Sequence, residues 1–335
     1  MEFMLNIELP KAEKLISHKD NILSVGSCFT EHIGEALQEL KFNVLQNPNG
    51  ILFDPVSVCK SLQSYIQNRK YTTDDLFYLN ELWHSWDHHS RFSNTDAQKA
   101  VDEINASQQT AREFLKDADW LIITLGSAFN YHLVPEPPLQ MERRSVANCH
   151  RAPAQWFEKH LSAIEDIISN LQQTIEQLFQ FNPKLKIIFT ISPVRHIRDG
   201  VVENNRSKAR LIEAVHHVIN QSNKLYYFPS YEIVIDVLRD YRFYAEDMVH
   251  PNYAATEFVL EKFIQTYMSD ETVALIQEIK KLVIARKHRS VHPSTEAHKK
   301  FLLSHLEKTK ALRQQYPYLN LQEEIDYFSN CVYQE

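Results

Sequence analysis

"NILSVGSCFTEHIG", residues 21–34, passes from a strand-like apolar run into a helix-like one through three small residues. Ile22 to Val25 have the uninterrupted apolar character of a strand buried on both faces. Gly26, Ser27 and Cys28 then break the run before the helical pattern of residues 31–40, with Thr30 placed to cap it. A strand that turns at once into a helix sets its turn residues at the rim of a sheet. Neighbouring positions leaving a strand point in different directions, so only one of Ser27 and Cys28 faces a pocket there. The segment therefore allows three readings: a packing turn, a serine nucleophile or a cysteine nucleophile.

Four further runs share the character of the first: "FNVL" (42–45), "WLIITL" (120–125), "LKIIFTI" (185–191) and "KLYYF" (224–228). Helical patterns separate them at 55–68, which opens with Asp54 as cap and Pro55 at the first helical position, and at 96–117, 152–180 and 205–221. Alternating strand and helix predicts a doubly wound α/β sheet, whose ligands bind outside the carboxyl ends of the strands. Only 5 glycines occur, where average usage would give roughly 23. Gly26 and Gly126 follow strands, while Gly50 and Gly200 lie in loops, so these four mark turns worth following.

A length of 335 residues, 44% of them hydrophobic, suffices for one large α/β domain with an appendage or for two ordinary domains. The net charge of -7 leaves no nucleic-acid footprint. No apolar run approaches the ~20 residues that span a bilayer. The N-terminal "MEFMLNIELPKAEK" lacks the apolar centre of a signal peptide. Cys28, Cys59, Cys149 and Cys331 are scattered, with no C-x-x-C pair, which suits a reducing, cytoplasmic location. The expected partner is a small molecule, with no nucleic acid and no membrane, and a homo-oligomer is left open. Beyond about residue 269 two charged amphipathic helices follow, with Pro293 near their junction.

Residues 71–95 and 127–150 are long for simple connections and predict lids or pocket walls. Within the first, "WHSWDHHSRFS" carries His84 and His88 at i, i+4, a spacing that suits a shared metal if the segment is helical. No third ligand accompanies them, and Trp83, Trp86 and Phe92 fit an aromatic wall with His88 on it; no metal is expected. Late in the α/β portion, "RFYAEDMVHPNYAA" holds Asp247 and His250 three residues apart. A serine hydrolase needs that pairing, an imidazole to take the serine proton and an acid to orient it. Taken alone, the pattern reads more readily as an ordinary surface D-x-x-H. In "SPVRHIRDG" (192–200), Arg195 and His196 follow a strand and suit an anionic or carbonyl group of a substrate, or an ion pair with the acids of "LRDYRFYAED". Asn148 and His150 in "NCHR" carry the same two readings.

Taken together, "GSCF" (26–29), "NPNGILFDP" (47–55), "NCH" (148–150), "SPVRHIRDG" (192–200) and "YFPSYEIVIDVLRDYRFYAEDMVHP" (227–251) resemble the GSCFA-domain family within the SGNH (GDSL-like) hydrolase superfamily. The resemblance covers roughly residues 3 to 268. It implies a three-layer α/β/α, flavodoxin-like domain over 1–268, with 269–335 as a C-terminal helical extension. It also implies Ser27 as nucleophile, with Cys28 packed beneath the turn, and Asp247 and His250 as its partners. Oxyanion donors would be the N–H groups of Ser27 and Gly50. The third block of the superfamily reads Gly-x-Asn, but here it is Gly126-Ser127-Ala128. Asn148 is then the candidate substitute, with His150, Arg195, His196 and His88 as substrate-binding candidates. The implied activity is hydrolysis or transfer of an ester-linked acyl group, a carbohydrate-borne one included, with no cofactor. Its rivals are a catalytically weak binding protein of the same fold and a metal-assisted hydrolase using His84 and His88. Such a triad requires Ser27 Oγ within about 2.6–3.2 Å of the His250 ring.

Overall fold

The computed structural model describes residues 5–134 and 143–333. Along the chain, β1 (Asn21–Gly26) leads into α1 (Cys28–Glu39), and β2 (Asn43–Gln46) into α2 (Pro55–Gln67). The hairpin β3 (Leu76–Leu79) and β4 (Leu82–Ser85) precedes α3 (Ala97–Asp117) and β5 (Trp120–Leu125). Three short strands follow: β6 (Phe129–Leu133), β7 (Ser145–Val146) and β8 (Phe157–Leu161). The alternation resumes with α4 (Ile164–Phe181), β9 (Lys186–Ile191), α5 (Val201–Ile219) and β10 (Leu225–Phe228). The short α6 (Ser230–Glu232) and a π-helical turn, Ile233–Val237, lead on to α7 (Tyr253–Tyr267).

Two compact units result. Among the described residues, one comprises 5–8, 21–34 and 44–260; the other comprises 9–20, 35–43 and 261–333. In the first, the five expected strands form one parallel sheet in the order β2-β1-β5-β9-β10. Counted along the chain, that order is 2-1-3-4-5, the flavodoxin-like arrangement, and its direction reverses between β1 and β5. Leu23 pairs with Leu121, which pairs with Ile187, and Val25 with Ile123, which pairs with Phe189. These side chains form one core with Val58 and Leu62 of α2, Leu115 of α3, Leu171 and Leu178 of α4, and Leu211 and Val215 of α5. Every residue of β5 is buried, which is why its sequence shows no alternation. The helix start expected at Asp54 is present, its carboxylate accepting from the Ser57 N–H at 2.9 Å.

Three elements differ from the sequence expectation. α1 begins at Cys28, not after Thr30, because Thr30 donates its N–H to Ser27 O within the first turn. The helix expected over 152–180 starts only at Ile164. Pro153 disfavours helix in the residue before it, and β8 alternates so that Leu161, Lys159 and Phe157 pair with Phe129, Tyr131 and Leu133. The insertion at 127–150 thereby joins β8 in a three-stranded antiparallel sheet, β7-β6-β8, with residues 135–142 outside the described residues. The other insertion is the β3–β4 hairpin, turned by Asn80 and Glu81, both at positive φ as a two-residue hairpin loop demands.

The second unit holds α8 (Asp270–Lys287), α9 (Glu296–Gln315) and a third helix, α10 (Gln322–Tyr333). Leu302 and Leu306 pack with Phe328, Val332 and Ala285. Among the described residues no helix is long and apolar enough to cross a membrane. Glu324 is fully buried here, with Lys41 Nζ 2.7 Å and Arg286 Nε 3.3 Å from its Oε1. Removing one partner of a buried ion pair leaves the others uncompensated, typically at a cost of about 3–5 kcal/mol. Glu324→Ala should lower unfolding stability by that order in urea titrations, while Glu307→Ala on the exposed side of α9 should change it little.

Candidate active site

β1 ends where no side chain fits. A Cβ on Gly26 would lie 2.1 Å from Thr124 O of the neighbouring β5, and the residue sits at φ +136°. Ser27 follows at once, its N–H donating to Thr124 O at 3.1 Å and its own carbonyl starting α1. The NPNG segment is stitched to the same turn. Asn47 Oδ1 accepts from the Gly26 N–H at 2.9 Å, Leu52 N–H donates to Gly26 O at 2.9 Å, and Gly50 N–H donates to Asn47 O at 2.7 Å. Ser27 is only 1% exposed, and its Oγ has no hydrogen-bond partner among the described residues. The expected Ser27–His250 hydrogen bond is therefore absent from this structure. The two N–H groups assigned to an oxyanion hole, of Ser27 and Gly50, are both given to carbonyls.

The Asp247–His250 pair is formed, and by a turn instead of a helix. Met248 at φ +58° folds the chain back so that Asp247 Oδ1 accepts from the N–H groups of Val249 (2.9 Å) and His250 (3.0 Å), and Oδ2 meets His250 Nδ1 at 2.6 Å. The His250 backbone and ring, then Val249, hold the Asp247 carboxyl down to about 2. The imidazole is 44% exposed to solvent. Val249 O accepts from the Arg195 N–H at 3.2 Å, which attaches the turn to the loop leaving β9, at the carboxyl edge.

That loop carries the other candidates. Arg195 makes no ion pair with the acids of residues 238–247 among the described contacts. Its guanidinium lies over the rings of Tyr244 (4.2 Å) and Tyr241 (5.3 Å) of that segment. His196 stands edge-on to Phe53 at 5.5 Å and donates its N–H to Asn204 Oδ1. Burial, with the charge of Lys208 next, pulls its imidazole down to about 4. Burial pushes the Cys28 thiol above its ordinary value, the reverse of what a thiolate nucleophile requires.

His88 and His150 belong to the hairpin region. His88 is buried, with Nδ1 on Ser85 Oγ at 2.8 Å and its ring edge-on to Tyr71 and Phe92. His150 Nε2 donates to Ser85 O at 2.8 Å beside Phe77 and Trp86, and Asn148 Oδ1 accepts from the His150 N–H. Together these side chains build an aromatic wall, and none contacts Ser27 among the described bonds. His84 lies on a strand, not a helix, and both ring nitrogens are engaged, with Ser93 Oγ (2.7 Å) and Leu79 O (3.0 Å). The i, i+4 argument for a shared metal therefore lapses. Among the described residues no group of three or more His, Cys, Asp or Glu is arranged to hold a metal. Asp87, in the same cluster, is instead a buried anchor bonded to Lys60 (2.7 Å) and Arg144. Burial alone would raise its carboxyl, but those two cations hold it below the ordinary value.

Sequence reasoning passed over Asp87 as an anchor, Asn47 as the brace of Gly26, and Lys208. The signal for Lys208 was present: it falls on the stripe Leu211, Val215 and Val218 of α5, where a lysine has no solvent to reach.

These observations describe a flavodoxin-like α/β protein with a serine on a strand-to-helix turn at the switch point of its sheet and an Asp–His pair on a loop of the same edge. The chain belongs to the GSCFA family, whose model matches residues 21–263; the model for the C-terminal domain of GSCFA domain proteins matches residues 279–334. No curated protein matches. Among solved structures it is similar to a Streptococcus pneumonia protein described as a platelet activating factor, at 14% identity and TM-score 0.38, over 75% of this chain and 84% of that one. It is also similar to a carbohydrate esterase family 3 protein from Talaromyces cellulolyticus, at 9% identity and TM-score 0.35, over 78% of this chain and 99% of that one. Likenesses this distant say nothing of what the chain acts on.

The buried imidazoles give the fold a pH dependence. Burial draws His88 and His150 down to about 4, against ~6.5 in an unfolded chain. Between those values the unfolded chain binds more protons, so stability is full above about 6.5 and falls as pH drops toward 4. Each contributes up to about 3 kcal/mol of that loss. Urea midpoints measured between pH 7 and pH 4 should fall, and His150→Gln should flatten the slope; an unchanged slope in the variant would contradict the assignment.

Proposed function

We propose that the chain is a serine-dependent esterase or acyl-transfer enzyme acting on an acyl ester, with Ser27 as nucleophile, His250 as base and Asp247 as its orienting acid. The observation that carries this reading is the 2.6 Å contact between Asp247 Oδ2 and His250 Nδ1, on a turn attached to the edge where β1 delivers Ser27. A carboxylate on Nδ1 holds the proton there and leaves the Nε2 lone pair as the base. Ser27 Oγ attacks the ester carbonyl carbon, and its proton passes to His250 Nε2. The tetrahedral centre collapses, the C–O bond to the alcohol breaks, and that proton leaves with the alcohol oxygen. Water or a second hydroxyl then releases the acyl group by the same steps in reverse. The chemistry calls for no cofactor. Contact between Ser27 and His250 has to form in the substrate complex, where such bonds commonly tighten.

A second reading, a catalytically weak ligand-binding protein, is favoured by three observations at the same rim. Ser27 Oγ is buried, the N–H groups of Ser27 and Gly50 are already bonded, and Ala128 stands where the superfamily has asparagine. One missing oxyanion donor costs about 2.7–4 kcal/mol of transition-state stabilisation.

A fluorophosphonate probe and a short-chain acyl ester separate the two. The esterase reading expects stoichiometric labelling of Ser27, loss of label and turnover in Ser27→Ala, and both retained in Cys28→Ala. Turnover of Asp247→Asn should fall by about two to four orders of magnitude, as the tautomer is lost. A wild-type protein that is neither labelled nor active sinks this reading in favour of the second.

A further inference from the structure

Lys208 is 1% exposed, and its Nζ lies 2.6 Å from two backbone oxygens, Gly126 O and Ser192 O. Those carbonyls belong to the first residues beyond β5 and β9, the two adjacent central strands. The amine thus joins both exit loops from beneath, at the edge where Ser27 leaves β1. Its neighbour Ser207 extends the brace: Oγ accepts from the Ala128 N–H at 2.7 Å, at the very position where the superfamily's asparagine is missing. The loop held this way bears on the serine. A Cβ added to Gly126 would lie 3.4 Å from Ser27 Cβ and 3.2 Å from Phe53 Cδ1, and Phe53 O accepts from both the Gly126 and Ser127 N–H groups.

We propose that Lys208 is the positioning residue of this rim: its ammonium clamps the loops after β5 and β9 through Gly126 O and Ser192 O, and so fixes the floor on which Ser27 stands. The role in catalysis rests on the acyl-transfer reading above; the clamp does not. An ammonium makes charge-assisted bonds to carbonyls, stronger than those of a neutral amine, so the clamp loosens when the proton leaves. Burial pushes the amine down to about 7, which puts that loss inside the neutral range. The groups facing it are few. The Cys28 thiol at the start of α1 and the His196 imidazole in the loop after β9 are in electrostatic range, and the Tyr231 ring lies 5.7 Å away. His196 and Cys28 are held neutral at this pH by burial, so Lys208 is the group that changes charge.

The test follows amide exchange in the full chain, as protection factors at Gly126–Ala128 and at Ser192 and Val194 between pH 5.5 and pH 9, beside ester turnover over the same range. Wild type should show at least a tenfold drop in protection of both loops across neutrality. Lys208→Met should be unprotected throughout with no step. Lys208→Arg, permanently charged, should restore protection without the step, and turnover should follow protection in all three. If the methionine variant does not fold, the wild-type step and its absence in the arginine variant still decide. Equal protection in wild type and Lys208→Met overturns the clamp, and no step in wild type overturns its loosening with loss of the proton. Equal turnover in an active wild type and in Lys208→Met overturns its positioning role. A protection step in a wild type that neither turns over ester nor labels at Ser27 upholds the clamp and fails the acyl-transfer reading instead.

Discussion

Thr124 O approaches the backbone of Gly26 so closely that a methyl group there would sit 2.1 Å from it. The parallel register of β1 and β5 runs on to this very pair, Gly26 against Thr124, so the close approach is the last rung of that ladder. Several placements depend on it. The chain leaves β1 at a φ that glycine adopts without strain, which points Ser27 across the sheet edge with its N–H on Thr124 O. The freed Gly26 N–H and carbonyl then capture Asn47 and Leu52, fixing the loop that holds Gly50. With Ser27 placed before it, α1 can only begin at Cys28.

What the sequence makes legible here is what burial writes in apolar residues. The central strands are read correctly because parallel strands between two layers have no polar face to interrupt them. Gly26 and Gly50 stand out because glycine is otherwise so scarce in the chain. β8 escapes notice because Glu158 and His160 alternate with Phe157 and Lys159 in a way that also fits the start of a helix, and only pairing with β6 decides. The third C-terminal helix keeps helical spacing in Ile325, Phe328 and Val332, at i, i+3 and i+7, but over only 12 residues, too short a run to stand out. Asp247 and His250 are visible as residue types, but their contact depends on Met248 at positive φ, and nothing in that residue announces it.

Charge inside the first unit follows a consistent rule. Asp87 is buried with cations around it, Lys208 with carbonyls around it, and the interior imidazoles of His88, His150 and His196 are held neutral. Each solves the desolvation problem differently, by ion pairing, by hydrogen bonding to dipoles, or by giving up the proton. The Asp247–His250 pair is different because both side chains lie at the solvent and not in the interior.

Ser27 Oγ falls outside this scheme, as Ser24 Oγ and Thr30 Oγ1 of the same segment do. It is as buried as Lys208 yet has no partner among the described residues, and a buried hydroxyl left unbonded costs about 1–3 kcal/mol. The same turn spends its N–H on Thr124 O at 3.1 Å, a longer bond than the 2.7 Å one at Gly50. Of the two engaged oxyanion candidates, the serine N–H is therefore the easier to redirect toward a developing negative charge. Hydroxyl and amide belong to one residue, so in the proposed reaction a single small displacement of the β1 exit would serve nucleophile and donor together.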